Sequence, residues 1–167
     1  MRSRSYPVPL IVAIALLAPI LMGQELETKS LTALERELHQ SMATRAYQSA
    51  GEVIKVLANR PDPKAVDILT KYAFTGASYP IEKYTIAWLE RAEDPKVRAA
   101  VMEHCLKNPN YRTRISLHSV LEKWASDPGA VDEGGAKALG VLERAIEDPY
   151  KPVVFSALES LRRIKSE

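Results

Sequence analysis

Between residues 62 and 165 apolar residues recur at helical spacing, in runs of roughly 12–17 residues separated by Pro- or Gly-containing breaks. Sustained alternation of apolar and polar residues is missing, and no hairpin dipeptide sits between β-branched runs, so strands are not expected. The pattern predicts first-position helices near 64–75, 96–107 and 133–147. Second-position helices are predicted near 80–92, 110–125 and 150–164. Upstream, residues 26–39 and 42–58 predict a less regular pair.

The breaks share a chemistry. Asp62-Pro63, Asp94-Pro95, Asn108-Pro109, Asp127-Pro128 and Asp148-Pro149 each join a side-chain acceptor to a proline. The acceptor can cap free N–H groups, and proline fits the first helical position without losing a hydrogen bond. Tyr79-Pro80 supplies a related break.

The segments also repeat. Asp62-Pro63-Lys64-Ala65-Val66 recurs as Asp94-Pro95-Lys96-Val97-Arg98, a shift of 32 residues that also takes Leu57 to Leu89 and Leu89 to Leu121. Farther on the shift becomes 40, aligning Val101 with Val141, Ser116 with Ser156 and Leu121 with Leu161. The extra residues fit 127–135, a Gly-, Asp- and Pro-rich stretch that reads as a longer loop. Helical pairs at such periods bury their apolar faces only by stacking, which implies an all-α, right-handed solenoid of about four pairs. Leu57, Leu89, Leu121 and Leu161 are its expected spine, joined by Val101, Val141, Leu106 and Ile146. Residues 24–61 then form an N-terminal capping pair and 62–167 the repeat domain.

The Asp-Pro-Lys-Val-Arg-Ala-Ala segment at 94–100, opening one helix of a repeating pair, resembles the HEAT-like repeats of short bacterial type, including those of phycobilin-lyase-type proteins. The resemblance spans about residues 62–165 and is specific for fold rather than activity. The Val-Arg pair occurs at Val97-Arg98, whereas the other repeats carry Ala65-Val66 and Thr113-Arg114 there. Tetratricopeptide repeats have a similar period, but their Trp, Leu-Gly and Tyr positions find no match. The resemblance implies a binding face lined by the second helices; because some relatives handle chromophores, it also implies an enzyme-associated or lyase-like alternative.

Residues 1–23 differ in character. Met-Arg-Ser-Arg precedes an apolar run at 8–22, the layout of a secretory signal peptide. The run is shorter than the roughly 18–20 residues of a membrane-spanning helix, and Pro7, Pro9 and Pro19 interrupt it. Export to the periplasm or the medium is expected, with an uncleaved membrane anchor as the alternative. Charge agrees with a non-nucleic-acid role. The 167 residues carry 23 Lys and Arg against 21 Asp and Glu, and both excess cations, Arg2 and Arg4, lie in the leader. A neutral domain lacks the field that phosphate binding exploits.

Chemical motifs are sparse, and no cofactor or metal is expected. The single cysteine excludes an internal disulfide and a cysteine zinc site. Cys105 aligns with Ala73 and Ala145, a small contact position where a thiol acts as a hydrophobe. His118 aligns with Ile86 and Leu158, and His104 with Tyr72 and Arg144, so a buried and a half-exposed histidine are expected rather than a metal pair. Trp124, aligned with Ala92 and Ile164, is expected to fill the gap beside the 126–135 insertion. Phosphate loops and nucleophile elbows are missing, so a catalytic role is not expected.

Positions that stay basic draw more notice. Arg91, Lys123 and Arg163 share one repeat position. Tyr84 and Trp88 precede Arg91 by two and one turns, and Arg112 and Arg114 open the next second-position helix. Together these seven residues would suit an acidic or aromatic peptide of a protein partner. The competing explanation is a solvated face whose cations complement helix dipoles. The expected function is a non-catalytic interaction scaffold acting outside the cytoplasm.

Overall fold

A computed structural model describes residues 26–75, 79–127 and 133–165. Among them are eight helices of 11–16 residues and no strand. They are α1 (Leu31–Ala43), α2 (Tyr47–Ala58), α3 (Pro63–Ala73), α4 (Tyr79–Leu89), α5 (Pro95–Lys107), α6 (Tyr111–Ser126), α7 (Glu133–Ala145) and α8 (Lys151–Ile164). The expected export signal at 1–23 and most of the 127–135 loop lie outside the described residues. No described helix is long and apolar enough to cross a membrane.

Proline chemistry sets several starts as expected. The Asp62 carboxylate accepts from the Lys64 N–H at 3.0 Å, and that of Asp94 from Lys96 and Val97 at 2.8 and 3.2 Å. Two starts differ. Asn108 does not cap α6; its side chain accepts from the Asn110 N–H at 2.9 Å, and Asn110 caps the helix by accepting from Arg112 at 3.0 Å. Asp148 likewise does not cap α8, because its carboxylate is engaged by Arg114 and by the Tyr150 N–H. The upstream pair also starts later than the pattern suggests. The Ser30 hydroxyl accepts from Ala33 at 3.3 Å and fixes the start of α1, while Arg45, at φ 58°, turns the chain before α2. That left-handed conformation costs a non-glycine residue stability, so the corner is held by flanking bonds, such as Ala46 N–H to the Ser41 carbonyl at 2.8 Å.

Packing follows one rule. Odd helices pack on the next odd helix (α1 on α3, α3 on α5, α5 on α7) and even helices on the next even one. Each odd helix also packs on the even helix after it. The described residues therefore form a two-layer α-solenoid of four helical pairs.

Polar bridges also join the pairs, and those of the odd layer keep the same register. In the odd layer, the Tyr72 hydroxyl donates to Glu35 at 3.2 Å and the His104 ring meets Asp67 at 2.7 Å; both members of the second bridge lie 32 residues after those of the first. In the even layer, the Trp124 indole donates to the Glu90 carbonyl at 3.0 Å, and Arg163 to the Glu122 carboxylate at 3.4 Å.

Leu57, Leu89 and Leu121 have no exposed surface and Leu161 is 8% exposed, so the spine is continuous. Val101 and Val141 join it and Leu106 packs half-buried against it. Ile146 does not: α7 ends at Ala145, and Ile146 sits exposed in the following turn. Trp124 is buried as expected. It reaches back to α4 through the Glu90 carbonyl, with the Arg98 guanidinium 5.2 Å from its ring centre. Arg98 in turn donates to the Ala92 carbonyl at 2.7 Å. Trp124 thus fastens the α4–α5 corner; most of the insertion it was expected to border lies outside the described residues.

Candidate functional site

The seven candidate positions separate into distinct environments. Tyr84 and Trp88 line a cleft of about 540 Å³ between α2 and α4. Tyr47, Gln48, Gly51, Glu52 and Lys55 form its α2 wall, and Pro80 and Ile81 close one end on α4. The two helices run side by side: Gly51 lies beside the Tyr84 ring, and the Lys55 ammonium stands 5.7 Å from the Trp88 ring centre. The Arg91 guanidinium is 5.5 Å from the same ring. One end of the cleft is therefore aromatic, with Tyr47 and Tyr84, and the other carries a tryptophan between two cations. Neither Lys55 nor Arg91 forms an ion pair with a described carboxylate.

Gly51 gives the cleft its depth. A methyl added there would meet Tyr84 ring carbons at 3.8 and 3.9 Å, an ordinary contact, whereas a longer side chain would fill the floor. Tyr84 keeps 55% of its surface exposed and Tyr47 39%, a large solvent-facing aromatic area on one element pair.

Arg114 is buried. Its guanidinium makes a two-bond fork onto Asp148 at 2.8 and 3.0 Å and donates to the Asn108 carbonyl at 2.6 Å. The two side chains are only 10% and 7% exposed, so this arginine is a fastener between α6 and the loop before α8. Repeat position is the reason: Arg114 occupies the register that faces the following pair.

The basic ladder is interleaved with acids. Arg163 reaches Glu122, and Lys123 and Arg91 both attract Glu90. Burial raises the Glu90 carboxyl above its ordinary pKa, against the pull of those two cations. Arg112 is exposed and turns its guanidinium toward the Tyr111 hydroxyl, whose hydrogen bond raises its pKa. Of the predicted cations, Arg91 comes near the cleft through its approach to Trp88, and itself lines a separate pocket with Ala58, Asn59 and Asp94.

The other suspected groups are structural. Cys105 is fully buried, and burial pushes its thiol up to about 12, so no thiolate forms near neutrality. His118 is 1% exposed; its Nδ1 pairs with the Ser156 hydroxyl at 2.8 Å, while Nε2 finds no protein partner. Burial lowers its pKa to about 4, with a smaller upward pull from Asp148 and a downward one from Arg114. His104 is half-buried between Asp67 and Asn108, and the His39 ring lies 5.8 Å from that of Tyr72. Among the described residues no three His, Cys, Asp or Glu side chains gather as a metal site.

Sequence reasoning missed the α2 half of the cleft. Tyr47, Gln48, Gly51 and Lys55 fall in the pair read only as a cap. A usable signal existed, because Gly51 and Lys55 stand 33 residues before Tyr84 and Trp88, close to the 32-residue shift that carries Leu57 to Leu89.

Against known proteins, the chain matches no family model, no curated protein and no solved structure.

Proposed function

We propose that the protein is a non-catalytic interaction scaffold, built from HEAT-like repeats, that binds a segment of a protein partner on its even-helix face. The observation that carries this reading is the α2–α4 cleft, where exposed Tyr47 and Tyr84 continue into Trp88 flanked by Lys55 and Arg91. Rigid aromatics supply contact area at low entropic cost, and cations that form no ion pair with a described carboxylate can take carboxylates of an incoming chain. The inert setting of Cys105 speaks against a lyase-like role that attaches its ligand through this thiol. The leader-like pattern of residues 1–23 supports action outside the cytoplasm.

A photo-crosslinking amino acid at position 84, compared with one at exposed Glu103 on α5, tests the proposal in the native organism. The expected result is a discrete protein adduct at 84 and none at 103. Adducts of equal yield at both positions, or none at 84, would overturn it.

A further inference from the structure

The walls of the α2–α4 cleft are built in rungs. Gly51 lies beside the Tyr84 ring and Lys55 near that of Trp88, so the two helices run in the same direction at an offset of 33 residues. The same offset sets Tyr47 level with Pro80, and both line the cleft. Successive rungs are four residues apart, roughly 6 Å along a helix, so the cleft runs about 12 Å from Tyr47 to Lys55. Its chemistry changes along that length. Tyr47 and Tyr84 stand exposed over the first two rungs, with Gly51 as the floor. At the third, Lys55 and Arg91 lie 5.7 and 5.5 Å from the centre of the Trp88 ring. Among the described lining residues Glu52 is the one acid, and Glu90 attracts Arg91 without pairing with it.

Chemistry narrows the occupant. A quaternary ammonium or methylated lysine, the usual guest of an aromatic cage, would meet two cations already placed at Trp88. A helix, roughly 10–12 Å across, would rest on the aromatic rims with its backbone polar groups all used internally. It would set apolar side chains against the Tyr47 and Tyr84 hydroxyls and the Gln48 amide, none of which has a hydrogen-bond partner among the described residues. An extended segment does the reverse. In the polyproline II form it rises about 3.1 Å per residue, so roughly four residues fill the cleft. Its backbone carbonyls stay free to accept from those hydroxyls and that amide. Proline-rich chains dock in aromatic-lined grooves, and a chain already held in this form loses little entropy on binding. Lys55 and Arg91 call for an acid at one end of it.

We infer that the α2–α4 cleft takes a proline-containing, acidic segment in extended form, its prolines on Tyr47 and Tyr84 and a carboxylate at Lys55 and Arg91. Glu52, next to Gly51, repels a carboxylate from the middle rung and leaves the Trp88 end for it. The segment chemistry rests on the proposed role of the cleft as a binding site for a partner protein, and names what that site selects.

The test uses the full chain as bait for a phage-displayed library of random linear dodecapeptides. Selected peptides are expected to hold proline beside Asp or Glu, and to give the circular dichroism of polyproline II rather than helix when synthesised. Their affinity should fall at least ~10-fold on Tyr84→Ala, the loss typical of a central anchor residue, and as far on the double substitution Lys55→Glu, Arg91→Glu. All three side chains are exposed, so the variants should keep the melting temperature of the parent. Exchanging the peptide acids for lysine should restore binding to the charge-reversed variant, which a merely structural role of the two cations would not do. Peptides that lose affinity on Tyr84→Ala but are helical, basic or free of proline would overturn the inference and leave the binding role of the cleft intact. Equal affinity for the charge-reversed variant would do the same. Failure to enrich any peptide sensitive to Tyr84→Ala would also overturn it, and the cross-link at position 84 then decides the broader role separately.

Discussion

Arg114 on α6 holds Asp148, 34 residues later, through two parallel hydrogen bonds in a setting where both side chains are at most 10% exposed. A forked guanidinium–carboxylate pair is both stronger and more directional than a single contact. Here it sets the loop that delivers α8 onto α6. Burial alone would raise the Asp148 carboxyl, but the Arg114 bonds and the Tyr150 N–H hold it below its ordinary range. Substituting Asp148→Asn leaves the guanidinium buried without its counter-charge. Such one-sided removals cost about 3–5 kcal/mol. Urea unfolding should show a loss of that size; a loss below about 1 kcal/mol would mean the pair is solvated and non-structural.

His118 gives the fold a pH dependence whose sign follows from its depressed pKa. The buried ring has a pKa of about 4 against an ordinary 6.5, so the unfolded chain binds the proton first as pH falls. The stability contribution is complete above pH 6.5, and it drains away between there and pH 4. A shift of that size corresponds to a loss on the order of 3 kcal/mol at the acid end. His118→Leu should remove the loss of stability in this window, leaving the contributions of Glu90, which is lost as pH rises through its raised pKa, and of Asp148, which is lost only below the ordinary carboxylate range. An unchanged curve would place the titration elsewhere.

How much of this was legible in the sequence depends on which interaction fixes each feature. The layers and the leucine spine were readable because a 32-residue shift repeats apolar positions whose only use is burial, as at Leu57, Leu89 and Leu121. Caps were readable where the acceptor has one local job, as at Asp62 and Asp94. They were misread at Asn108, whose side-chain oxygen is taken by the Asn110 N–H, and at Asp148, whose carboxylate is claimed by Arg114, distant in sequence. Arg114 itself looked like a surface cation because nothing local distinguishes a guanidinium aimed at solvent from one aimed at the next repeat. The cleft was half legible: Tyr84 and Trp88 stand out as apolar residues on a polar stripe, but Gly51 and Lys55 matter only through what lies across from them.

Leu121 tests the spine. It has no exposed surface and belongs to α6, which packs on α4, α5, α7 and α8. Leu121→Ala should cost about 2–5 kcal/mol by removing buried methyl groups from a site with little room to collapse. Equilibrium denaturation reads this directly, and a cost under about 1 kcal/mol would contradict the register.

Cys105 should be chemically silent in the folded protein. With no exposed surface and a thiol pushed to about 12, it presents neither access nor thiolate to a disulfide reagent at neutral pH. Labelling should proceed only at the rate of unfolding and become immediate in denaturant. Prompt labelling of the native chain would show that the α5–α7 contact opens far more readily than its packing implies.

The cleft carries the functional account, and backbone amide chemical shifts map it most directly. With the partner segment recovered by cross-linking at position 84 titrated into isotope-labelled protein, shifts should concentrate at Tyr47, Gly51, Lys55, Tyr84 and the Trp88 indole. Lys55→Glu should weaken the complex at least ~10-fold if its ammonium takes a partner carboxylate. Shifts confined to the odd-helix face, with the cleft unmoved, would contradict the account.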